Sequence, residues 1–516
     1  MRSGAEVVVV GSGAAGAVIA ARASEDEARD VLLLEAGPDL PPDAPLPADV
    51  RDGTRNSYRA HDWRYRHRPV DRPIEHLFPR GRVLGGSTAV NTCIAIRGEA
   101  YDFDEWELDD WRFEQCLPAF RRLERDLDFG HEPWHGDDGP IALRRHPPHE
   151  LTTWQAAFLE ACASLGFPRT EDHNRPGSTG YGPHAMNKID GVRQNVARGY
   201  LDLARRRPSL RVTTGAHVRR VLFRDRRVIG VEVERPRLTP RTGEDRGGEV
   251  SIVSTSRVVL SAGAIATPGI LLRSGVGPRD EVARLGVELV ADVPAVGAKL
   301  LDHPGCAVFF SPRPGVCDVR DPLIQTALRF TSRANGQLND LQVQAGSLVP
   351  FPSGLEVPMV SLMFQVGKTR GHGTLRFPSA DPYASPEIRS RLLADPDDLE
   401  LALEAVELLW LLGSSPALSE LARFALPSER DFRSRTAIRE WILRQTGSGY
   451  HPCGTVPMGR DARAATDSRG RVWGVEGLVV ADASLFPTVP SSNTNLPTIM
   501  LGERFGAWLR DGELFP

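Results

Sequence analysis

The chain has 516 residues, of which 41% are hydrophobic and 25% charged, with a formal net charge of −4. That length allows about two to four domains, and the composition excludes wholesale disorder while offering no charge field for nucleic acid or an anionic membrane. Its cysteines (Cys93, Cys116, Cys162, Cys306, Cys317, Cys453) are scattered without a C-x-x-C pair, which argues against a disulfide framework and a zinc site.

Glu6-Val7-Val8-Val9-Val10 is apolar and β-branched, as a strand buried on both faces is. It runs into Gly11-Ser12-Gly13-Ala14-Ala15-Gly16, and Ala17 to Ala23 continues in small, helix-compatible residues. Strand, glycine turn and helix are the context that the G-x-G-x-x-G fingerprint requires. Gly11 permits the tight turn, Gly13 lets the backbone approach a pyrophosphate, and Gly16 lets helix and strand pack closely. Ala14 and Ala15 lie at the helix N-terminus, whose free N–H groups and positive dipole end suit that pyrophosphate. A second apolar strand, Val31 to Leu34, ends at Glu35-Ala36, about twenty positions beyond the glycines, where an acidic residue holds a ribose hydroxyl.

Residues 38 to 75 read as an irregular excursion. In Arg80-Gly81-Arg82-Val83-Leu84-Gly85-Gly86-Ser87-Thr88-Ala89-Val90-Asn91, glycines crowd between strong β-formers, so backbone runs close to another segment or to a ligand. Phe113 to Leu127 has helical spacing. His131-Glu132-Pro133-Trp134-His135 matches the H-E-x-x-H zinc string, but Pro133 with Gly130 and Gly136 denies it the helix that would turn both imidazoles to one metal. No metal site is expected.

Thr152 to Gly166 reads as an amphipathic helix, Leu210 to Val233 as short strands, and Arg235 to Glu249 as an exposed hairpin tip. Arg257-Val258-Val259-Leu260 is another buried strand, and it runs into Ser261-Ala262-Gly263-Ala264, small residues suited to a sheet edge that faces a cofactor. From Leu301 to Arg444 the texture changes. Asn339 to Val349 and Val357 to Val366 alternate as antiparallel strands open on one face, and helical spacing follows over Pro396 to Leu412 and Glu429 to Leu443. This layer is suited to roofing over a site. Glycine-dense sequence returns at Gly447 to Thr455. A last buried strand, Gly477 to Ala481, ends at Asp482-Ala483, and Ser491-Ser492-Asn493-Thr494-Asn495 leads into a final helix over Pro497 to Arg510. No signal-peptide layout and no apolar stretch of about eighteen residues is present, so a cytoplasmic protein without a transmembrane segment is expected, with peripheral attachment to a membrane left open.

Together these segments resemble the glucose–methanol–choline (GMC) family of FAD-dependent oxidoreductases, over nearly the whole chain. The resemblance rests on Gly11 to Gly16 with Glu35, on Gly81 to Asn91, and on Gly263-Ala264-Ile265-Ala266-Thr267-Pro268-Gly269 through Gly277. Val296-Gly297 with Leu300-Leu301-Asp302-His303-Pro304, and Tyr450-His451-Pro452 with Asp482-Ala483-Ser484 and Asn493, complete it. It implies an α/β, Rossmann-like FAD-binding domain built from residues 1–300 and 445–516. An interleaved α+β substrate-binding domain with an antiparallel sheet would span residues 301–444.

By the same resemblance FAD lies from Glu35 and Val218 at the adenine end to Asn91, His451 and Asn493 at the ring. Arg82, Gly86 and Ser87 in the first signature, Ala262 and Gly263 in the second, and Asp482, Ala483 and Thr494 near the C-terminus would contact it. Some members attach FAD through a histidine where this chain has Val90, so non-covalent FAD is implied. His451 is implied as the base and Asn493 as the donor to the substrate oxygen, with Asn495 the alternative for that second part. The implied activity is oxidation of a small-molecule alcohol by hydride transfer. An FAD-retaining hydroxynitrile lyase and a flavin electron-relay protein are the alternatives. Oxygen, a quinone and a redox protein stay open as electron acceptor, and the oligomeric state stays open as well.

Overall fold

The computed structural model describes residues 4–57, 60–235, 248–350, 356–357 and 359–515. Four apolar runs and Leu210–Thr213 form one five-stranded parallel sheet, in the order Leu210–Thr213, Val31–Leu34, Val7–Val10, Val258–Leu260, Leu478–Val480. Val9 lies between Leu33 and Val259 in register. The four apolar strands are buried at every position, which is why they show no polar alternation. Counted along the chain the order is 3-2-1-4-5, so the connections reverse between the first strand and the fourth. A crevice opens beyond the carboxyl ends of these two strands.

Helix Gly16–Ala23 covers the sheet and is itself covered by the final helix, which begins at Asn495, two residues before the expected start, and ends at Arg510. A Cβ on Gly502 would lie 2.9 Å from the Ala15 carbonyl oxygen and one on Gly506 2.6 Å from Arg22 Cβ, so the two helices touch through glycine. Arg22 and Glu503 pair across them at 2.9 Å, and the Tyr200 hydroxyl donates to Glu503 at 2.6 Å. Strands His217–Arg224, Arg227–Arg235 and Glu249–Ser254 form a separate antiparallel sheet. Arg235 pairs with Glu249, and the expected hairpin tip between them lies at 236–247, outside the described residues.

The second layer is a seven-stranded antiparallel sheet. Its order is Ala422–Leu426, Pro304–Pro312, Val360–Val366, Leu341–Gly346, Thr326–Phe330, Gly180–Pro183, with Gly447–Ser448 added beside Pro304 and Gly305. Helices Thr153–Ser164, Pro396–Ser414 and Arg435–Gln445 pack on one face and close a second core around Phe310, Val343 and Phe364. Helix 153–164 and strand 180–183 thus join this layer from the region before residue 300.

The sheet is also not open to solvent. All of Leu341–Gly346 and all but Met363 of Val360–Val366 are buried. The alternation is present, but the polar face looks onto the interior cavity described below, and a sequence pattern does not distinguish a face turned to water from one turned to a site.

One local expectation is corrected. Helix Phe113–Leu123 stops short of Leu127, because Glu124–Asp126 goes extended and pairs with Ile141–Leu143. The reason is electrostatic: Glu124 receives Arg97 and His135, and Asp126 receives Arg145 at 2.8 Å. The His131–His135 string is turn, with His131 exposed and His135 buried, so the two rings do not converge. No helix among the described residues is long and apolar enough to cross a membrane.

Candidate active site

The crevice widens into a cavity of about 1260 Å³ between the parallel sheet and the polar face of the antiparallel one. At one end Gly11, Gly13, Ala14 and Ala15 form the wall together with Glu35 and Ala36; Val218 lies nearby on its own strand. Arg82, Gly86, Ser87 and Asn91 run along one side, and Ala262–Gly263 and Asp482–Ala483 close the sheet edge. Asn493 and Thr494, just before the final helix, reach the far end with His451.

Gly16 is the exception. It does not line the cavity, and a Cβ there would fall 1.9 Å from the Gly11 carbonyl oxygen. Its part is packing the helix against the turn. A Cβ on Gly13 or Gly263 would meet nothing within 4 Å. The backbone there faces open space, the shape a dinucleotide cradle requires.

Two carboxylates organise this end. Glu35 accepts the Ser12 N–H at 3.0 Å and the Ser12 hydroxyl at 2.6 Å on one oxygen, and the Gly37 N–H at 2.7 Å on the other. It ties the glycine turn to the end of the second strand; burial raises its pKa while these bonds oppose the rise. Asp482 accepts the Gly263 N–H at 2.8 Å and the Thr267 hydroxyl at 2.6 Å, and its other oxygen caps Ser484 at 2.8 Å. It satisfies the first turn of helix Gly263–Arg273, as a capping residue does.

At the far end two histidines face each other, with His303 Nδ1 and His451 Nδ1 2.9 Å apart. His303 Nε2 lies 2.9 Å from the carbonyls of both Gly367 and Pro490, so that nitrogen carries the ring proton. His303 Nδ1 is then an acceptor, and His451 Nδ1 must donate to it. The tautomer assigned by these partners leaves a lone pair on His451 Nε2. Asn493 Nδ2 stands 3.0 Å from that nitrogen and can donate to it.

Burial holds the pKa of His451 well below its ordinary value, with His303 and Arg80 adding to the effect. His303 is lowered to about 4, mainly by burial. Both rings are therefore neutral near pH 7.

Asp302 fixes the backbone under the pair. One oxygen accepts the N–H groups of His303 and His451, each at 2.9 Å, and the other accepts the Ser448 hydroxyl. Ser448 accepts the Tyr450 N–H at 2.7 Å, and Arg80 donates to the Tyr450 carbonyl at 2.6 Å. These contacts hold Tyr450 at φ +64°, in the left-handed region that only a well-determined loop keeps in a tyrosine. Burial raises Asp302 to about 6, against its hydrogen bonds and Arg80.

His303, Asp302 and Arg80 were not singled out as site residues from the sequence. The signal was an Asp-His pair inside an otherwise apolar approach to a strand, which spacing alone does not connect to a histidine 148 positions away.

The parallel sheet and glycine cradle define the fold of a dinucleotide-binding protein, and a buried histidine pair stands at the far end of the same cavity. Family models described as GMC oxidoreductase match residues 5–305 and 369–502, and the chain belongs to the GMC oxidoreductase family. It is 33% identical to the 5-(hydroxymethyl)furfural oxidase of Methylovorus sp. (strain MP688), covering 97% of each chain. It is 32% identical to an oxygen-dependent choline dehydrogenase of Chromohalobacter salexigens, over 99% of this chain and 96% of that one. The structure of pyridoxine 4-oxidase from Mesorbium loti superposes with a TM-score of 0.88 at 29% identity, covering 98% of both.

Proposed function

We propose that the enzyme oxidises an alcohol to the carbonyl compound with His451 as base, Asn493 as donor to the substrate oxygen, and FAD held non-covalently. The observation that carries this is the His303–His451–Asn493 arrangement, which turns the Nε2 lone pair of His451 and the Asn493 amide toward each other at the cavity, the two groups that a substrate hydroxyl would come between. The cavity's shape supports FAD: open space beside Gly13 and Gly263, and a second carboxylate-tied strand end at Glu35. Bound there, FAD supplies the hydride acceptor. His451 Nε2 takes the hydroxyl proton, and the Asn493 amide donates to the oxygen as its negative charge grows. Asn495 opens the final helix and lines the same cavity, but it is Asn493 that reaches His451. Val90 offers no nucleophile for covalent attachment. Six free cysteines fit a reducing compartment. The chain divides at residues 300 and 444 into an FAD-binding and a substrate-binding domain, with segments 153–164 and 180–183 joining the substrate layer.

His451→Ala is expected to keep flavin and slow its anaerobic reduction by alcohol by about a hundredfold or more; near-normal reduction in rapid mixing removes His451 from the mechanism. Acid precipitation is expected to release the flavin into the supernatant, and flavin that stays with the pellet refutes non-covalent binding.

A further inference from the structure

The sheet that roofs the cavity carries polar chemistry that the base and the cradle do not use. Register places Gln342 opposite Gln365, Gln344 opposite Met363, and Gly346 opposite Ser361, so these side chains share the face turned to the site. Gln344 and Gln365 line the cavity while being only 8% and 9% exposed. Among the described residues Gln365 Nε2 has no hydrogen-bond partner, and neither amide atom of Gln342 has one. Leaving buried amide groups unpaired is costly, and native proteins keep them where something else completes them. Gln365 also stands beside the base: a Cβ on Gly449 would lie 3.1 Å from Gln365 Oε1 and 3.0 Å from His451 Nδ1.

Charge is missing from this wall. The carboxylates lining the cavity among the described residues are Glu35, Asp62 and Asp482. Glu35 and Asp482 are bound into the cradle, and Asp62 accepts the Arg80 N–H at 2.7 Å. Of the aromatic rings lining the cavity only Phe309, opposite Ser361, stands on the glutamine face, while Tyr450, Trp63, Tyr65 and Tyr383 lie on other walls. A quaternary ammonium is recognised by several aromatic faces or by a carboxylate, and this face supplies neither.

We infer that the substrate is an alcohol whose far end carries an uncharged hydrogen-bond acceptor, such as a carbonyl or ring oxygen, read by Gln365 and Gln344, and that choline-like cations are selected against. This rests on the alcohol-oxidation reading above. The test is anaerobic flavin reduction of the holoenzyme by three alcohols: 5-(hydroxymethyl)furfural, benzyl alcohol and choline. The furfural is expected to exceed benzyl alcohol at least about tenfold and choline about a hundredfold in second-order rate, since a site built around hydrogen bonds rejects partners that leave them unmade. Gln365→Leu and Gln344→Leu, each checked for an intact bound-flavin spectrum, are expected to pull the furfural-to-benzyl ratio to within about threefold of one. Choline outrunning the furfural, or a ratio unchanged in both variants, overturns the inference while leaving alcohol oxidation standing. No reduction by any of a wider alcohol panel overturns alcohol oxidation, and this inference with it.

Discussion

His303 sets which nitrogen of His451 keeps its lone pair, and it does so through two backbone carbonyls that leave its own ring a single hydrogen-bonding choice. Burial comes first among the causes that depress His451, followed by His303 and Arg80. The neutral, working form therefore persists on the acid side of the ordinary histidine value, and the rate of flavin reduction falls only as pH drops through the depressed pKa. Replacing His303 by Ala removes one depressing neighbour and frees the tautomer. The expected result is a reduction rate lower by about tenfold and an acid limb displaced to higher pH, read by rapid mixing from pH 5 to 9. An unchanged limb with an unchanged rate would dismiss the positioning role.

The glycine turn shows how much an element's geometry depends on what is left out of it. Gly11 takes φ +94° to turn the chain, and Gly16 lets the helix begin against the turn's own carbonyl. Adding one methyl group at Gly16 forces the helix N-terminus away from the strand, because a Cβ 1.9 Å from an oxygen cannot be accommodated by a rotamer change. Gly16→Ala is expected to cost ~3 kcal/mol and to lower the flavin content of the purified protein. Full flavin occupancy with unchanged thermal unfolding would show that the turn yields more easily than its packing indicates. The roofing sheet illustrates the converse: its strands were legible from alternation, and the direction each face looks was not.

Across the whole molecule, buried charges join segments that are distant in sequence. His135 bonds Glu124 at 2.6 Å and Asp172 at 2.9 Å, with Asp126 at 3.1 Å. Arg97 reaches Glu124, and Arg145 reaches Asp126 and Asp172. Glu124, Asp126 and His135 have the closeness of metal ligands, but the two guanidinium groups already supply the positive charge. Burial pulls the His135 pKa down, and the bonds to Asp172 and Glu124 outweigh it, so the net shift is upward. The stabilisation is full below the unfolded value of 6.5 and is lost as pH rises through the higher folded value. His135→Leu is accordingly expected to lower the unfolding temperature most near pH 6, with the gap to wild type narrowing toward pH 9; a gap independent of pH would mean that the ring is neutral throughout.

The sequence by itself determined the cradle and the family, because a glycine turn between a buried strand and a helix is local chemistry, and the further motifs fall in a fixed order along the chain. It also singled out His451 and Asn493. Only the tertiary structure brought His303 and Asp302 beneath that histidine, turned the glutamine face inward, and drew helix 153–164 into the second layer. Those are contacts between segments far apart in the chain, decided by which buried faces and polar groups could satisfy one another, and periodicity within a segment carries no record of its partner.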